Sequence, residues 1–325
     1  MLLTRRDFGK TALAAAAATP VLAAAKPNSN FGGVQIGVIT YSFRTLPSSA
    51  EQTLQYCLDC GISAIELMSN VPESYAGAPM PPSRPPGGGG GGKRSPMTAE
   101  QKAAIQKAAD DVKQWRLSVS MNKYKAFRKM YADAGVKIYA FKLPPTMAMS
   151  DQEYDYIWNV AETLGANHIT MELPTDDALL QRVAEFAAKR KLYIAFHTHG
   201  QGGSSGFDRA LNASKYTALN LDVGHYFGVT GDSPVPIIEK YHDRILSLHL
   251  KDRAAPSSAS TGPRGGGANM PWGQGQTPLK DILQTMKKNK YKFPGSIEYE
   301  YNTPEGSDVL TEVKKCVAYC KQALA

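Results

Sequence analysis

The chain has 325 residues, of which 42% are hydrophobic and 20% charged, with a formal net charge of +8 and 4 cysteines. That composition is too apolar for a disordered chain and too poor in thiols for a disulfide-built scaffold. The basic residues are spread over helical segments, with no stripe of lysine and arginine interleaved with aromatics, which argues against nucleic acid as a partner.

The N-terminus reads as a targeting segment. Thr4-Arg5-Arg6-Asp7-Phe8-Gly9-Lys10 is a twin-arginine signal, followed by an Ala-rich stretch and a cleavage site at Ala23-Ala24-Ala25. The apolar run from Thr11 to Ala25 holds Thr19 and Pro20 and is too short to span a bilayer. The expectation is export to the periplasm, a mature form of residues 26–325 without a membrane span, and about 300 residues for one large domain. Removal of the signal takes away Arg5, Arg6 and Lys10 with Asp7, so the remainder stays basic.

Downstream, eight short apolar runs are predicted as strands: residues 35–41, 62–68, 136–142, 168–173, 192–197, 219–223, 245–250 and 296–301. Helical patterns lie between them at 50–60, 123–134, 151–164, 176–191, 236–242 and 279–289, and a last helix covers 309–324. A ninth apolar run, 117–121, is assigned to the approach into the second helix. Gly61, Gly135 and Gly165 each stand where a helix should stop. Alternation of strand and helix implies a parallel sheet, and eight such units in this length match a closed α/β barrel, (β/α)8, as a single domain. Two Gly/Pro-rich insertions interrupt the pattern, residues 76–96 and 254–276, and both follow strands at the carboxyl side. The first reads as inert surface. The second carries Trp272 among glycines and reads as a lid or substrate wall.

The cysteines come in pairs, Cys57/Cys60 and Cys316/Cys320. The first pair ends a helix rather than opening one, which excludes a thioredoxin-type redox site. Buried small apolar side chains are expected. Because the first and last helices of a closed barrel are neighbours, a disulfide between the pairs stays open.

Chemistry concentrates at strand ends: Glu172, His197 and His199, Asp222 with His225, His249, then Glu298 and Glu300. Side chains at the carboxyl ends of parallel strands converge on one mouth. The period of two puts His197 and His199 on one face, Glu298 and Glu300 on another, and aligns Ser247, His249 and Lys251. Asp222 and His225 are three apart, which requires the chain to turn at Gly224. Acid and imidazole meeting in this way suit a divalent cation. A set of Asp222, His249 and Glu298, completed by Glu172 or His197, favours Mn²⁺, Mg²⁺ or Co²⁺. A nitrogen-rich set of His197, His199 and His249 would suit Zn²⁺ better. His168 and His242 are expected to be structural, and Lys142, Lys251 and Arg253 are candidates to contact substrate oxygens.

With Ile65-Glu66-Leu67, Leu221-Asp222-Val223-Gly224-His225, Leu248-His249-Leu250-Lys251-Asp252, Trp272-Gly273-Gln274-Gly275 and Ile297-Glu298-Tyr299-Glu300, the chain from about residue 35 to 324 resembles the xylose isomerase-like TIM barrels. That group holds sugar isomerases and epimerases together with endonuclease IV. The resemblance implies Asp222, His249 and Glu298 as metal ligands and His225 as a contact to a substrate hydroxyl. Epimerases of the group usually carry a glutamate on the fifth strand, where this chain has His197 in Phe196-His197-Thr198-His199. Branches with two histidines there include inosose dehydratase-like proteins, and Glu172 would then act as the fourth ligand. The expected activity is proton abstraction beside a carbonyl of a carbohydrate or polyol, giving an enediolate, with His197, His199 or Glu298 as the base. Lys251, Arg253, Glu300 and Trp272 would line the substrate. Isomerase or epimerase is the first expectation and a lyase acting on keto-sugars or 3-keto-glycosides the second. A phosphodiesterase of the endonuclease IV kind would need more histidine, and a non-catalytic sugar-binding barrel would need no metal. The oligomeric state, homo-oligomers included, stays open.

Overall fold

A computed structural model describes residues 26–79, 97–199, 204–256 and 266–325. The targeting segment and most of the first insertion therefore lie outside the described residues. Among those described, eight parallel strands close a barrel: Val34–Ile39, Ala64–Met68, Lys137–Lys142, His168–Glu172, Tyr193–His197, Thr217–Asp222, Ile245–Leu250 and Gly295–Ile297. Closure is direct, since the first strand pairs in parallel with both the second and the eighth. Each expected strand is present, and the ends shift by no more than four residues. The run 117–121 forms no strand; it falls where one helix ends and the next begins.

The helices are α1 (Ala50–Asp59), α2 (Asn70–Ala76), α3 (Ala99–Ser118), α4 (Met121–Asp133), α5 (Asp151–Leu164), α6 (Asp177–Arg190), α7 (Ser204–Asn212), α8 (Val223–Thr230), α9 (Val235–Tyr241), α10 (Leu279–Asn289) and α11 (Val309–Ala323). Starts follow from capping: Ser49 and Ser150 each accept from the third helical N–H, and Gln52 and Glu153 return a bond to the cap. Gly135 and Gly165 take positive φ, 83° and 79°, at the expected helix ends. Four helices, α2, α3, α7 and α8, escaped the sequence reading. Helix α3 has no buried residue and hence no apolar stripe to detect.

Strand alternation separates two environments. Ile194, Phe196, Leu219, Leu221, Leu248 and Leu250 face outward and belong to the apolar layer beneath the helices. The intervening positions, among them His197, Asn220, Asp222, Ser247 and His249, are buried polar groups on the inward face. The barrel lumen is thus unusually polar towards its carboxyl end. The four cysteines are free thiols and all buried, as expected of small apolar side chains, with no disulfide among them.

Among the contacts that fasten helix α3 to the barrel, beside Trp115 standing edge-on to Tyr156 and Lys113 near Glu153, one ion pair is nearly buried. Arg116 grips Glu73 of α2 through Nε (2.8 Å) and Nη2 (3.2 Å). Tyr156 of α5 donates to the same carboxylate at 2.9 Å, and the Tyr124 hydroxyl lies 2.5 Å from that of Tyr156. Removing one partner strands a nearly buried guanidinium, which costs about 3–5 kcal/mol. Glu73→Ala is expected to lower the unfolding free energy by that amount in a urea titration. A loss below about 1 kcal/mol, the level of an exposed pair, would show that α3 is held by something else.

Candidate functional site

The expected residues meet at the carboxyl end of the barrel. His197, Asp222, His249 and Glu298 each bring one ligand atom to within 4.8 Å of the others, and all four are buried. Strand register accounts for the meeting: His249 stands opposite Asp222 on one side and Ser296 on the other, and His197 stands opposite Asn220. Glu298 follows directly on Ile297, the last residue of the eighth strand.

Helix α8 begins at the end of the sixth strand and uses Asp222 as its N-cap. Asp222 Oδ1 accepts from the His225 N–H at 2.7 Å, which leaves Oδ2 to face the cluster. Gly224 is not the turn glycine its spacing suggests but lies inside α8. Its reason is close approach, because a Cβ there would come within 2.2 Å of Lys251 Cγ and 2.6 Å of the Lys251 carbonyl oxygen. Gly228, one turn later, lies against the Arg253 guanidinium in the same way. The two glycines open a groove through which Lys251 and Arg253 reach inward.

Lys251 ends in the middle of the acids. Its Nζ lies 2.9 Å from Asp222 Oδ2, 2.8 Å from Glu298 Oε2 and 2.7 Å from Glu300 Oε2. Burial works against the ammonium, but Asp222, Glu298 and Glu300 outweigh it and raise its pKa. Burial likewise opposes ionisation of Glu298, and Lys251 with His249 holds that carboxyl well below the usual range. For Asp222 burial wins and the pKa rises. His249 lies between Glu298 Oε2 (2.7 Å from Nδ1) and Glu66 Oε2 (2.8 Å from Nε2). Burial disfavours its charge, yet the two carboxylates outweigh that and push its pKa up to about 10.

Glu66 is fully buried on the second strand and was not among the expected site residues. An acid within Ala-Ile-Glu-Leu-Met, on the inward face of a buried strand, was the signal available in the sequence.

The second group of histidines behaves differently. His197, His199 and His225 also bring nitrogens within 4.8 Å of one another. Arg253 Nη1 lies 2.6 Å from His225 Nδ1, and a guanidinium can only donate, so Nδ1 accepts and Nε2 carries the proton. Burial first, then Lys251 and Arg253, depress the His225 pKa, so the ring stays neutral. A protonated Nε2 is no metal ligand. It is buried without a hydrogen-bond partner and lies 3.9 Å from Asp222 Oδ2 and 4.0 Å from Glu300 Oε2, a donor directed into the site. This argues against a centre built on His197, His199 and His225 together.

Two expected roles change. Glu172 stands outside the four-residue cluster: its carboxylate pairs with Lys142 Nζ at 3.2 Å and His199 Nδ1 at 3.0 Å. Burial opposes its charge, but His199, His197 and Lys142 bring its pKa down to about 2. His197 takes the fourth place. Arg253, expected to touch substrate, instead braces His225 and donates through Nε to the Gly267 carbonyl at 2.8 Å. Trp272 stands edge-on to Tyr319 of α11, at 5.7 Å between ring centroids, with its turn tied down by Asp252, which accepts from the Gly273 and Gly275 N–H groups. The turn that carries Trp272 is thus braced against α11 and the chain after the seventh strand.

The four clustered groups fit a divalent cation. Asp222 Oδ2 is buried and receives no well-directed hydrogen bond although Lys251 is near, and two carboxylates with two imidazoles make a mixed oxygen–nitrogen set. Such a cation would share Asp222 and Glu298 with the ammonium, and Glu300 is the partner on which Lys251 could then rest.

The family model described as xylose isomerase-like TIM barrel matches residues 178–318, the stretch that carries all four clustered groups. An inosose dehydratase of Clostridium botulinum (strain Eklund 17B) is 27% identical over 135 residues, 37% of this chain and 45% of that protein. The chain therefore spans less than half the length of this curated relative. Among solved structures, a probable 3-DHS dehydratase from Bacillus anthracis superposes with a TM-score of 0.59 at 15% identity, over 87% of this chain and 98% of the other. A D-psicose 3-epimerase crystallised with D-fructose gives 0.54 at 12% identity, over 89% and 99%. At these identities the structures establish the shared barrel fold.

Gly224 allows a direct test of the groove. In a helix, alanine is favoured over glycine by about 1 kcal/mol, but overpacking costs about 1–3 kcal/mol. Gly224→Ala is expected to destabilise the protein in a urea titration because the new methyl meets both the Lys251 stem and its carbonyl. A stabilised variant would mean that Lys251 yields and is not held in place by α8.

Proposed function

We propose that this chain is a member of the xylose isomerase-like TIM barrel family and acts as a metal-dependent enzyme on a keto-sugar or keto-polyol, abstracting a proton from carbon beside the carbonyl. The observation that carries the reading is the convergence of His197, Asp222, His249 and Glu298 from four consecutive strands. These four would hold the cation, with Mn²⁺, Mg²⁺ or Co²⁺ favoured by the two carboxylates and Zn²⁺ allowed by the two imidazoles. When bound, the cation would supply Lewis acidity towards the substrate oxygens.

The protein's own groups supply the rest. His199 is the proposed base. Glu172 Oε2 lies 3.0 Å from its Nδ1, and a carboxylate there favours the tautomer in which Nδ1 is protonated and Nε2 carries the lone pair. His225 Nε2–H is the neutral donor for oxygen charge that develops as the proton leaves. Lys251 and Glu300 offer a donor and an acceptor to neighbouring hydroxyls. Return of the proton at the adjacent carbon or on the other face makes an isomerase or epimerase, with Glu298 as a second acid–base group. Loss of a β-hydroxyl makes a dehydratase. The dehydratase reading draws specific support from the sequence relative and from His197 standing where the epimerases carry glutamate.

The mature protein is expected to carry about one divalent ion per chain by elemental analysis. In deuterated water it is expected to introduce deuterium into recovered keto-sugar or 3-keto-glycoside, and chelation should abolish that exchange. Asp222→Ala and His249→Ala should each lose the metal and at least about a hundredfold of the rate. Exchange that survives with no bound ion would overturn the reading.

Export through the twin-arginine pathway is part of the same proposal and rests on residues 4–25. Replacing Arg5 and Arg6 together with lysine is expected to retain the protein in the cytoplasmic fraction. Equal periplasmic recovery of that variant would dismiss the signal.

A further inference from the structure

Glu66 has no place in the chemistry above, yet it is fully buried and both its oxygens are engaged. Thr170 Oγ1 donates to Oε1 at 2.7 Å. Asn220 Nδ2 at 3.1 Å and His249 Nε2 at 2.8 Å both lie on Oε2. An ionised carboxylate only accepts, so it dictates which of its neighbours donate. Asn220 must turn its amide nitrogen to Glu66, and the same nitrogen also meets Ser247 Oγ at 2.6 Å. The other end of the amide, Oδ1, then faces His197 Nδ1 at 3.0 Å and can only accept. His197 therefore carries its proton on Nδ1, and Nε2, 3.7 Å from Asp222 Oδ2, carries the lone pair on the cluster side. His249 donates through Nε2 to Glu66, which sets Nδ1 beside Glu298.

We propose that Glu66 is a positioning residue for the metal centre: one carboxylate on the second strand fixes which nitrogen both His197 and His249 offer to a divalent cation. The inference deepens the proposed function and rests on the cluster being a metal site. Carboxylates that orient metal-bound histidines through the far ring nitrogen are a general device, and their loss typically weakens metal binding by about 10–100-fold. Here one such group serves two ligands on different strands, directly for His249 and through Asn220 for His197.

The test pairs two substitutions. Glu66→Leu removes the acceptor. Glu66→Gln can keep one oxygen at the position shared by Asn220 and His249 while its amide turns to Thr170, whose hydroxyl can accept. Titration of metal-free protein with Co²⁺ alone is expected to show Glu66→Leu weakened by about 10–100-fold and Glu66→Gln recovering most of that loss. Independently, nitrogen NMR of ¹⁵N-histidine-labelled, metal-free protein is expected to find His197 in the single Nδ1–H tautomer. That state should persist in Glu66→Gln and give way to both tautomers in Glu66→Leu. Should Glu66→Leu not fold, Asn220→Ala severs the branch to His197 alone and must release the same tautomer preference. A Glu66→Leu protein that binds Co²⁺ within about threefold of the parent, or a His197 that keeps one tautomer in Glu66→Leu or Asn220→Ala, would overturn the inference. Failure of the parent protein to bind Co²⁺ would count against the metal reading instead, and the tautomer comparison would still decide the role of Glu66.

Discussion

Charge compensation away from water is the constraint on which this molecule turns. Glu66, Asp222, Glu298, His249 and Lys251 come from the second, sixth, seventh and eighth strands or the residue directly after them and are all buried. An isolated charge in such a place would neutralise or force the barrel open. Each persists because an opposite charge touches it: Lys251 against Asp222, Glu298 and Glu300, and His249 against Glu66 and Glu298. Buried pairs of this kind add little net stability, since desolvation cancels much of the attraction. Their retention is therefore better explained by what the assembled charges can bind.

The surrounding fold is shaped to bring these groups together. Outward strand positions are given to Leu, Ile and Phe under the helices, so the inward positions near the mouth can be polar without weakening the core. Helix α8 contributes twice, by drawing Asp222 Oδ1 into its cap and by presenting Gly224 and Gly228 to the stems of Lys251 and Arg253. Asp252 does comparable work on the other side, accepting from backbone N–H groups of the Trp272 turn so that the chain after the seventh strand returns against it. Support of this sort lets a site hold its geometry, and the described part of the second insertion contributes to it through the Trp272 turn.

Much of this was legible in the linear sequence, for a simple reason. Strand periodicity is two, so His197 with His199, and Glu298 with Glu300, declare a shared face from spacing alone, and Gly after an apolar-periodic run marks a helix end wherever φ must be positive. What stayed hidden was information that crosses strands. Glu66 stands out in the sequence only as part of Ile65-Glu66-Leu67, with no role attached, and its partners His249, Thr170 and Asn220 are more than 100 residues away. The role of Gly224 depends on Lys251, the residue after the next strand, so its placement suggests a turn when the cause is the close approach of that residue's side chain and carbonyl. Glu172 read as a ligand because it ends a strand, but Lys142 and His199 claim its oxygens first. Helix α3 escaped because none of its residues is fully buried and it carries no apolar stripe.

An imidazole rather than a carboxylate at the end of the fifth strand, His197, has a consequence for the balance of the whole cluster. A carboxylate there would stand near Asp222 and Glu298 and raise the cost of holding all three together in the absence of a cation. His197 is neutral, since burial first and then Lys142 and His249 depress its pKa well below the usual value. With one anion fewer, a single ammonium suffices to hold Asp222 and Glu298, which is the arrangement Lys251 adopts. The imidazole also brings a nitrogen donor that must be turned the right way, a requirement an acid with two equivalent oxygens does not impose. Asn220 meets that requirement only because Glu66 dictates its orientation. The histidine on the fifth strand and the buried acid on the second are in this sense one feature, linked through a single amide.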